Sequence, residues 1–277
     1  MRRKAFLNLG VLASAGLVSL GRRAASAQPG PVPAPAPAPS PVVIPGAPVP
    51  SQQIQGPAAD PATNAVLSAA VNQQFIPMKD TLYQHAPAIN TTAQTYYYDC
   101  VGFVTYTLEL GAPNAYAEIN AGLNIRKGFI PSSALYVQWI SGLPTAPRAG
   151  WQMVPTMAAL QPGDMLAWPL EGNNPGTSAT GHAVIAAGPA LPLADGSYAL
   201  LVYDSTATPH GPFDTRRTDP RCQPLEIQGS SAFGHLSGLG SGTLQFKVDA
   251  TGAPIAVAWT VGTAAMATSI VIGRGLA

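Results

Sequence analysis

Cysteine and charged residues are scarce in this chain, and each shortage excludes a class of protein. Two cysteines among 277 residues are too few for a disulfide-rich scaffold or for a metal site built on several thiolates. Only 10% of the residues are charged, and no cluster of lysine and arginine follows residue 27. Because a nucleic-acid-binding protein needs a basic face to neutralise phosphates, that class is disfavoured. No long apolar segment beyond residue 27 suggests a membrane span.

Residues 1–27 have the pattern of an export signal. Basic residues at 2–4 precede an apolar run of 17 residues, and "ASA" at 25–27 matches the small-residue cleavage pattern. The run approaches the roughly 20 residues that span a bilayer, so an uncleaved anchor is the alternative. The paired arginines nearly match a twin-arginine signal, which leaves the export route open. A lipoprotein anchor is disfavoured, because there is no cysteine near the cleavage site. We therefore expect export to the periplasm or cell envelope of a bacterium.

Residues 28–57 form a proline-rich segment that holds eleven of the 29 prolines. Such a segment cannot bury a core and favours polyproline II, so we interpret it as a semi-rigid linker, with a disordered leader as the alternative. Five of the 14 basic residues lie within the signal, and their removal leaves nine basic against 13 acidic residues, a net charge of −4. Residues 58–277 are long enough for one domain with a sizeable core.

The sequence predicts helices first and strands afterwards in this domain. Apolar spacing and capping residues indicate helices, whereas β-branched runs bounded by turn residues indicate strands. The predicted helices span 61–75, 100–111 and 132–144, and the predicted strands begin at 165 and span 181–188, 197–205, 242–249, 254–261 and 268–273. We expect "DATG" at 249–252 to join two strands as a hairpin. This order is typical of an α+β fold, with helices packed against an antiparallel sheet of about five to six strands.

Cys100 is a candidate nucleophile within the stretch "YYYDCVGFVTY". It lies where the apolar period of the second predicted helix begins, and Asp99 before it is a candidate N-cap. A helix N-terminus favours the thiolate, which is the reactive form of cysteine. Two other interpretations stay open, in which Cys100 is a buried apolar residue or forms a disulfide with Cys222.

His182 and Asp204 are the residues expected to complete a catalytic triad. His182 opens the strand "GHAVIAAG", where small neighbours leave room for a substrate and the imidazole can act as general base. Asp204 lies in "YDST" on the next strand, and a carboxylate there can hold the imidazole in one tautomer. His210 in the following loop is the rival for this orienting role. No two histidines have metal-ligand spacing, although a mononuclear metal site on histidines stays open as an alternative. The proposed chemistry needs neither a metal nor an organic cofactor.

Three motifs in this region resemble the NlpC-type, papain-like cysteine peptidases that cut bacterial cell walls. "DCVGFVTYTLELG" resembles the family's D-C-[SG]-G-[FL]-V segment, "ALQPGDMLAW" its L-x-P-G-D-L-x-[FW] turn and strand, and "GHAVIAAG" its G-H-V-[GA]-I-Y-x-G strand. The motifs occur in the family's order and cover roughly residues 95–206. The resemblance implies a papain-like fold and attack of a thiolate on an amide, typically one that involves a D-amino acid. It assigns Cys100 as nucleophile, His182 as base and Asp204 as the third polar residue.

The chain also departs from the family pattern. Val101 stands where the family usually has serine or another small residue, and 82 positions separate Cys100 from His182, more than is typical. The third residue is Asp204, whereas the family more often has histidine. Residues 207–277 match no part of the pattern.

Several polar residues near the motifs are candidates for substrate binding. We expect Tyr96, Tyr97 and Tyr98 to line a cleft, with one hydroxyl assisting at an oxyanion, although core packing is the default for at least one of them. Asp99 and His210 complete this set of candidates.

The charged loop after Asp204 has two interpretations. Asp214, Arg216 and Arg217 are expected to form an ion-pair cluster on the surface, with binding of a substrate carboxylate as the alternative. Asp164 belongs to the Pro-Gly turn and is expected to be structural.

The residues and the resemblance together predict an exported, monomeric cysteine hydrolase that cleaves an amide bond in peptidoglycan stem peptides. The proline-rich linker would let the catalytic domain reach the wall. One alternative is a thiol acyltransferase or amidase that acts on a non-wall substrate. The other is a catalytically inactive wall-binding module, which is disfavoured because competent residues occupy all three triad positions.

Overall fold

The computed structural model describes residues 65–126, 128–170, 181–226 and 229–276. The predicted export signal (1–27), the proline-rich linker (28–57) and the start of the first predicted helix (61–64) lie outside the described residues. Within the described ranges, no helix is both long enough and apolar enough to cross a membrane.

Four α-helices occur among the described residues: α1 (Ala65–Phe75), α2 (Cys100–Gly111), α3 (Pro113–Gly122) and α4 (Ser133–Ser141). Helices α1, α2 and α4 confirm the prediction from apolar spacing, α1 over the described part of its range. The sequence pattern does not predict α3, because only Ala115 and Ile119 of this helix are buried and no apolar face stands out. Pro113 begins this helix, at a position where its missing N–H costs no hydrogen bond.

The strands form two sheets. The smaller sheet contains β1 (Asp80–Leu82), β2 (Ala88–Asn90) and β3 (Thr95–Tyr97), in the order β1-β3-β2. The larger sheet contains β4 (Trp151–Met153), β5 (Met165–Pro169), β6 (Gly181–Ala186), β7 (Leu191–Pro192), β8 (Tyr198–Thr206), β9 (Gln223–Pro224), β10 (Leu236–Val248), β11 (Pro254–Ala258), β12 (Met266–Ala267) and β13 (Val271–Gly275). Its main path runs β12-β11-β10-β8-β6-β5-β13-β4, with β7 beside β8 and β9 beside β10.

The larger sheet confirms the predicted α+β class, but its size corrects the expectation of five to six strands. It has ten strands, and every neighbouring pair is antiparallel. Four of the strands (β4, β7, β9 and β12) are only two or three residues long. Alternation of apolar and polar residues cannot be recognised over so few positions, so the sequence does not reveal them.

Two long-range pairings determine the shape of the sheet. Strand β10 pairs with β8 along nine residues, from Gly238 opposite Thr206 to Phe246 opposite Tyr198, and then turns back through the predicted hairpin at 249–252 into β11. Strand β13, at the end of the chain, lies between β5 and β4. Strands from the last quarter of the chain therefore flank both sides of the β8-β6-β5 centre.

Alternation along the central strands fills two separate hydrophobic clusters. On β6, Ala183 and Ile185 belong to the cluster shared with the helices, whereas Val184 and Ala186 belong to the cluster on the other face of the sheet. This is the period of two that a strand buried on both faces must have. His182 precedes Ala183, so its side chain lies on the same face of the sheet as Val184 and Ala186, near the start of β6.

Candidate active site

Cys100 is the first residue of α2, and a side-chain cap fixes the start of this helix. Asp99 precedes the helix in extended conformation, and its Oδ1 accepts a 2.8 Å hydrogen bond from the backbone N–H of Gly102. A Cβ on Gly102 would lie 2.9 Å from Cβ of Tyr98 and 3.2 Å from Oδ1 of Asp99, so glycine leaves room for the cap. These contacts confirm the predicted N-cap and place the thiol at the positive end of the helix dipole.

The segment before Cys100 is bound to the central sheet. Oγ of Ser205 donates a 2.6 Å hydrogen bond to the carbonyl of Tyr98, so β8 holds the chain two residues before the thiol. Oγ1 of Thr81 donates to the carbonyl of Tyr96 at 2.7 Å and accepts from the N–H of Leu239 at 2.8 Å. The start of α2 is thereby fixed relative to β8 and β10.

His182 lies between two tryptophan rings. It is paired across the ladder with Trp168, at 5.3 Å between ring centroids, and the ring of Trp259 lies 5.0 Å away on another side. Gly181 before it has φ +141°, and a Cβ there would overlap the carbonyl oxygen of Trp168, so only glycine fits. Packing therefore restricts the orientation of the imidazole and leaves 7% of His182 exposed.

His182 connects Cys100 to Asp204. Its Nε2 lies 2.6 Å from Oδ2 of Asp204, and Cys100 is near enough for its charge to raise the pKa of the imidazole. Because Asp204 occupies Nε2, Nδ1 is the nitrogen left for a contact with the thiol. Burial lowers the pKa of His182, but the negative charge of Cys100 and the hydrogen bond and charge of Asp204 outweigh it and raise that pKa to about 10. The surroundings of His182 therefore favour the imidazolium form of this side chain.

Asp204 is fully buried and has three charged or polar partners. Oδ2 accepts hydrogen bonds from Nε2 of both His182 (2.6 Å) and His210 (2.8 Å), and Oδ1 pairs with the guanidinium of Arg216. Burial raises the pKa of this carboxyl, but the charge of Arg216 and the two histidines hold it well below its usual value. Two residues were candidates for orienting His182. Asp204 is hydrogen-bonded to His182, whereas His210 is hydrogen-bonded to Asp204, so the geometry favours Asp204.

Arg216 and Asp214 correct the expectation of a surface ion-pair cluster. Arg216 is 0% exposed and Asp214 is 2% exposed, so neither side chain can reach a substrate in solvent. They pair with each other at 2.6 Å, and Asp214 also caps the short 3-10 helix Thr215–Arg217. Only Arg217 of the three predicted residues is exposed.

Two of the three tyrosines are core residues, so their rings do not line a cleft. Tyr98 is fully buried, and its hydroxyl donates a 2.9 Å hydrogen bond to Oε1 of Gln74 on α1. Tyr96 is 3% exposed and packs in the cluster shared with the helices. Tyr97 is half-buried, and its hydroxyl donates to Asp80 at 2.7 Å. The default of core packing therefore applies to Tyr96 and Tyr98.

Sequence reasoning missed two residues near the thiol. Tyr83 is half-buried, and burial together with the negative charges of Cys100, Asp99 and Asp204 raises its pKa. His85 lies beside Tyr83, and its Nδ1 contacts Oδ2 of Asp99 at 3.0 Å. Both follow β1 and belong to no motif, so their proximity to Cys100 arises only in the fold.

The second cysteine is a free thiol in this structure, as is Cys100. Cys222 is 4% exposed, and its sulfur lies 3.7 Å from the carbonyl oxygen of Leu239, which it contacts as a weak donor. Burial and the charge of Asp219 raise the pKa of Cys222 to about 12. The alternative of a disulfide between the two cysteines is therefore not realised here, and Cys222 has the environment of an inert thiol.

His182, Asp204 and His210 also form a group with possible metal ligands, whose ligand atoms lie within 4.8 Å of one another. Since an ionised carboxylate only accepts hydrogen bonds, both Nε2 atoms must donate protons to Asp204, so neither has a free lone pair for a cation. Arg216 adds a positive charge on the same carboxylate. The arrangement therefore suits the sharing of protons better than the binding of a metal.

Comparison of the chain with known proteins gave no match. No family model, no curated protein and no solved structure matched it significantly. The function of the site is therefore inferred from the chemistry of its own residues.

Proposed function

We propose that this protein is a cysteine hydrolase of papain-like type, in which Cys100 is the nucleophile, His182 the general acid and base, and Asp204 the residue that orients the imidazole. The observation that carries this proposal is the 2.6 Å contact between Nε2 of His182 and Oδ2 of Asp204, with Cys100, the first residue of a capped helix, near enough to raise the pKa of His182. A nucleophile, a base within reach and a third group that holds the base are what thiol catalysis requires.

The proposed reaction has two stages. The thiolate of Cys100 attacks the carbonyl carbon of the amide, and the carbonyl electrons move to oxygen. When the C–N bond breaks, His182 gives its Nδ1 proton to the departing amine, and a thioester remains on the sulfur. His182 then takes a proton from water, whose oxygen attacks the thioester, and the C–S bond breaks to release the acid and restore the thiolate.

The start of α2 supports stabilisation of the oxyanion. Asp99 engages the N–H groups of Gly102 and Phe103, through its side chain at 2.8 Å and its carbonyl at 2.9 Å. The N–H groups of Cys100 and Val101 at the helix start then serve as donors to the developing negative charge.

For the substrate, we propose an amide of peptidoglycan stem peptides. This choice rests on the resemblance of the three motifs to wall-cutting enzymes and on the export pattern of residues 1–27. The proline-rich linker fits this role, because an extended spacer of about 3.1 Å per residue lets a domain act at a distance from its anchor or partner.

The test is release of fragments from purified peptidoglycan by residues 28–277. We expect Cys100→Ser and His182→Ala to abolish release, while Cys222→Ser, which removes the other thiol, retains it. Equal release by the wild type and Cys100→Ser would refute the assignment. Turnover of small thioesters without wall cleavage would instead assign acyl transfer or amidase activity on a non-wall substrate, and binding to the wall without turnover would assign an inactive module.

A further inference from the structure

We propose that Arg216 is a positioning residue of this site, which keeps Asp204 ionised and directed at His182 from inside the protein. It belongs to a segment, residues 207–217, that lies outside the motifs and that we call the clamp loop. The inference rests on the Cys100–His182–Asp204 arrangement of the proposed function, but not on the identity of the substrate.

Each nitrogen of the Arg216 guanidinium donates at least one hydrogen bond. Nε donates to the carbonyl of Gly238 at 2.8 Å, and Nη1 donates to Oδ2 of Asp214 at 2.6 Å. Nη2 donates to both the carbonyl oxygen (2.7 Å) and the side-chain Oδ1 of Asp204. Because the same nitrogen contacts the backbone and the carboxylate of Asp204, Arg216 fixes the side-chain rotamer that presents Oδ2 to His182.

The charge of Arg216 decides the ionisation of Asp204. A carboxylate with 0% exposure protonates unless a cation compensates for its loss of hydration. Arg216 is a permanently charged cation in direct contact with Asp204, whereas the charge of His182 depends on its protonation. Arg216 is shared with the buried Asp214. Without this charge the pKa of Asp204 would rise, and the imidazolium of His182 would be stabilised less by its anionic partner.

Strand β10 is shaped to receive the clamp loop. Gly240 is paired directly with Asp204 across the ladder, and a Cβ there would lie 2.6 Å from Cγ of Arg216. A Cβ on Gly242 would lie 2.5 Å from Oδ2 of Asp214 and 2.7 Å from Cβ of His210. Glycine weakens the interior of a strand, and here the space left by two missing side chains holds the buried charges.

His210 supplies a second contact from the same loop. Its backbone N–H donates to Oδ2 of Asp214 at 2.7 Å, its Nε2 donates to Asp204 at 2.8 Å, and its ring packs 4.2 Å from that of Trp259. Burial lowers the pKa of His210, so it is a neutral donor at physiological pH. Arg216 and His210 thus hold the two oxygens of Asp204 from one loop.

Several other titratable groups surround this carboxylate and contribute to its environment. They are His182 on β6, Cys100 at the start of α2, Tyr83 after β1, and His210, Asp214 and Arg216 on the clamp loop, with Cys222 and Asp219 beyond the arginine.

The test measures the thiolate of Cys100 directly, by the rate of its alkylation with iodoacetamide and by absorbance near 240 nm as a function of pH, in a Cys222→Ser background. With Arg216→Met, we expect the acid limb of both profiles to move to higher pH by at least about one unit, which means about tenfold slower alkylation on that limb. Arg216→Lys, which keeps the charge, should recover part of the shift.

Arg274→Met is the matched control. Arg274 also pairs with a fully buried carboxylate, Asp164, at 2.7 and 2.8 Å, but away from the thiol. We expect this variant to lose stability and keep the wild-type pH profile. Wild-type profiles in folded Arg216→Met would overturn the positioning role, and so would equal shifts in both arginine variants.

A second variant applies if Arg216→Met does not fold. Gly240→Ala retains every charge but displaces Arg216 from Asp204, whereas Gly188→Ala adds a Cβ with no atom within 4 Å. Only the former should slow alkylation on the acid limb, and equal profiles would overturn the proposal. A wild-type Cys100 that is inert at neutral pH would refute the proposed function itself, which distinguishes the two failures.

Discussion

Oδ2 of Asp204 lies 2.6 Å from Nε2 of His182, with both groups buried at the ends of neighbouring strands. This contact decides which imidazole nitrogen meets the thiol, because Nε2 is occupied and Nδ1 is left for Cys100. It also places a buried negative charge beside the imidazole, so that one carboxylate orients the ring of the proposed base and favours its protonated form.

Replacement of Asp204 by asparagine removes this charge and keeps the shape. We expect kcat on the hydrolysed substrate to fall by about 10²–10⁴, the range typical of a misoriented general base. The control is Asp164→Asn, which changes a buried carboxylate paired with Arg274 and should leave kcat unchanged. An Asp204→Asn enzyme with wild-type kcat would contradict the orienting role.

The two cysteines should differ sharply in reactivity although they are almost equally buried, at 5% for Cys100 and 4% for Cys222. We expect iodoacetamide at pH 7 to modify Cys100 without prior reduction, because His182 faces its sulfur. Cys222 should stay unmodified, since its pKa of about 12 leaves it as the thiol. Peptide mapping by mass spectrometry measures both sites in one sample, and equal labelling would disprove the difference in environment.

The pH dependence should show an alkaline limb from His182. Its folded pKa of about 10 lies above the usual value near 6.5, so its charge stabilises the fold fully below about 6.5, and this contribution is lost as pH rises through 10. Hydrolysis needs the imidazolium to protonate the departing amine, so kcat should fall through the same upper range. Alkylation of Cys100 needs no such proton and should not fall. Ring resonances of His182 in NMR spectra give the pKa independently, and titration near 6.5 would refute the ion pair.

The N-cap of α2 should contribute to the stability of the fold, in addition to fixing the start of the helix that carries Cys100. Asp99→Ala removes the 2.8 Å bond to Gly102, and we expect a loss of about 1 kcal/mol in the free energy of unfolding, whereas Asp99→Asn retains the cap and most of that stability. Ser132→Ala is the matched control, because Ser132 caps α4 through the N–H of Leu135. It should cost a similar amount in urea denaturation and leave alkylation of Cys100 unchanged.

Tyr98 should behave as a core residue. Tyr98→Phe leaves the buried Oε1 of Gln74 without its 2.9 Å donor, so we expect a loss of about 1–3 kcal/mol in stability and no change in KM. Tyr97→Phe, at a half-buried position, should cost less. A large rise in KM for Tyr98→Phe, with stability intact, would instead indicate that Tyr98 contacts the substrate.

The three residues of the proposed triad can be recognised in the sequence because each lies in a local pattern: Cys100 behind a capping aspartate, His182 after a glycine at a strand start, and Asp204 on the next apolar run. The class of fold followed from the order of the same elements. In each case the signal extends over a few neighbouring residues, which is the range over which propensity and periodicity act.

The clamp loop could not be predicted in this way. "FDTRR" has the composition of an exposed turn, and charged residues are rarely fully buried unless they are paired. What buries Arg216 is the pairing of Asp204 with Gly240, a contact between residues far apart in the chain. The position of β13 between β4 and β5 is likewise non-local, since nothing in its own five residues specifies its neighbours.

The pairing of β8 with β10 has a consequence for biosynthesis. Cys100, His182 and Asp204 have all been synthesised once residue 204 is reached, but the strand that encloses Arg216 ends at Val248 and the last strand of the sheet at Gly275. Long-range strand pairs form only after the chain between them is available. A nascent chain therefore carries Cys100, the proposed nucleophile, without the buried charges of Asp214 and Arg216, and the proposed site is complete only when the C-terminal third of the chain has been made and folded.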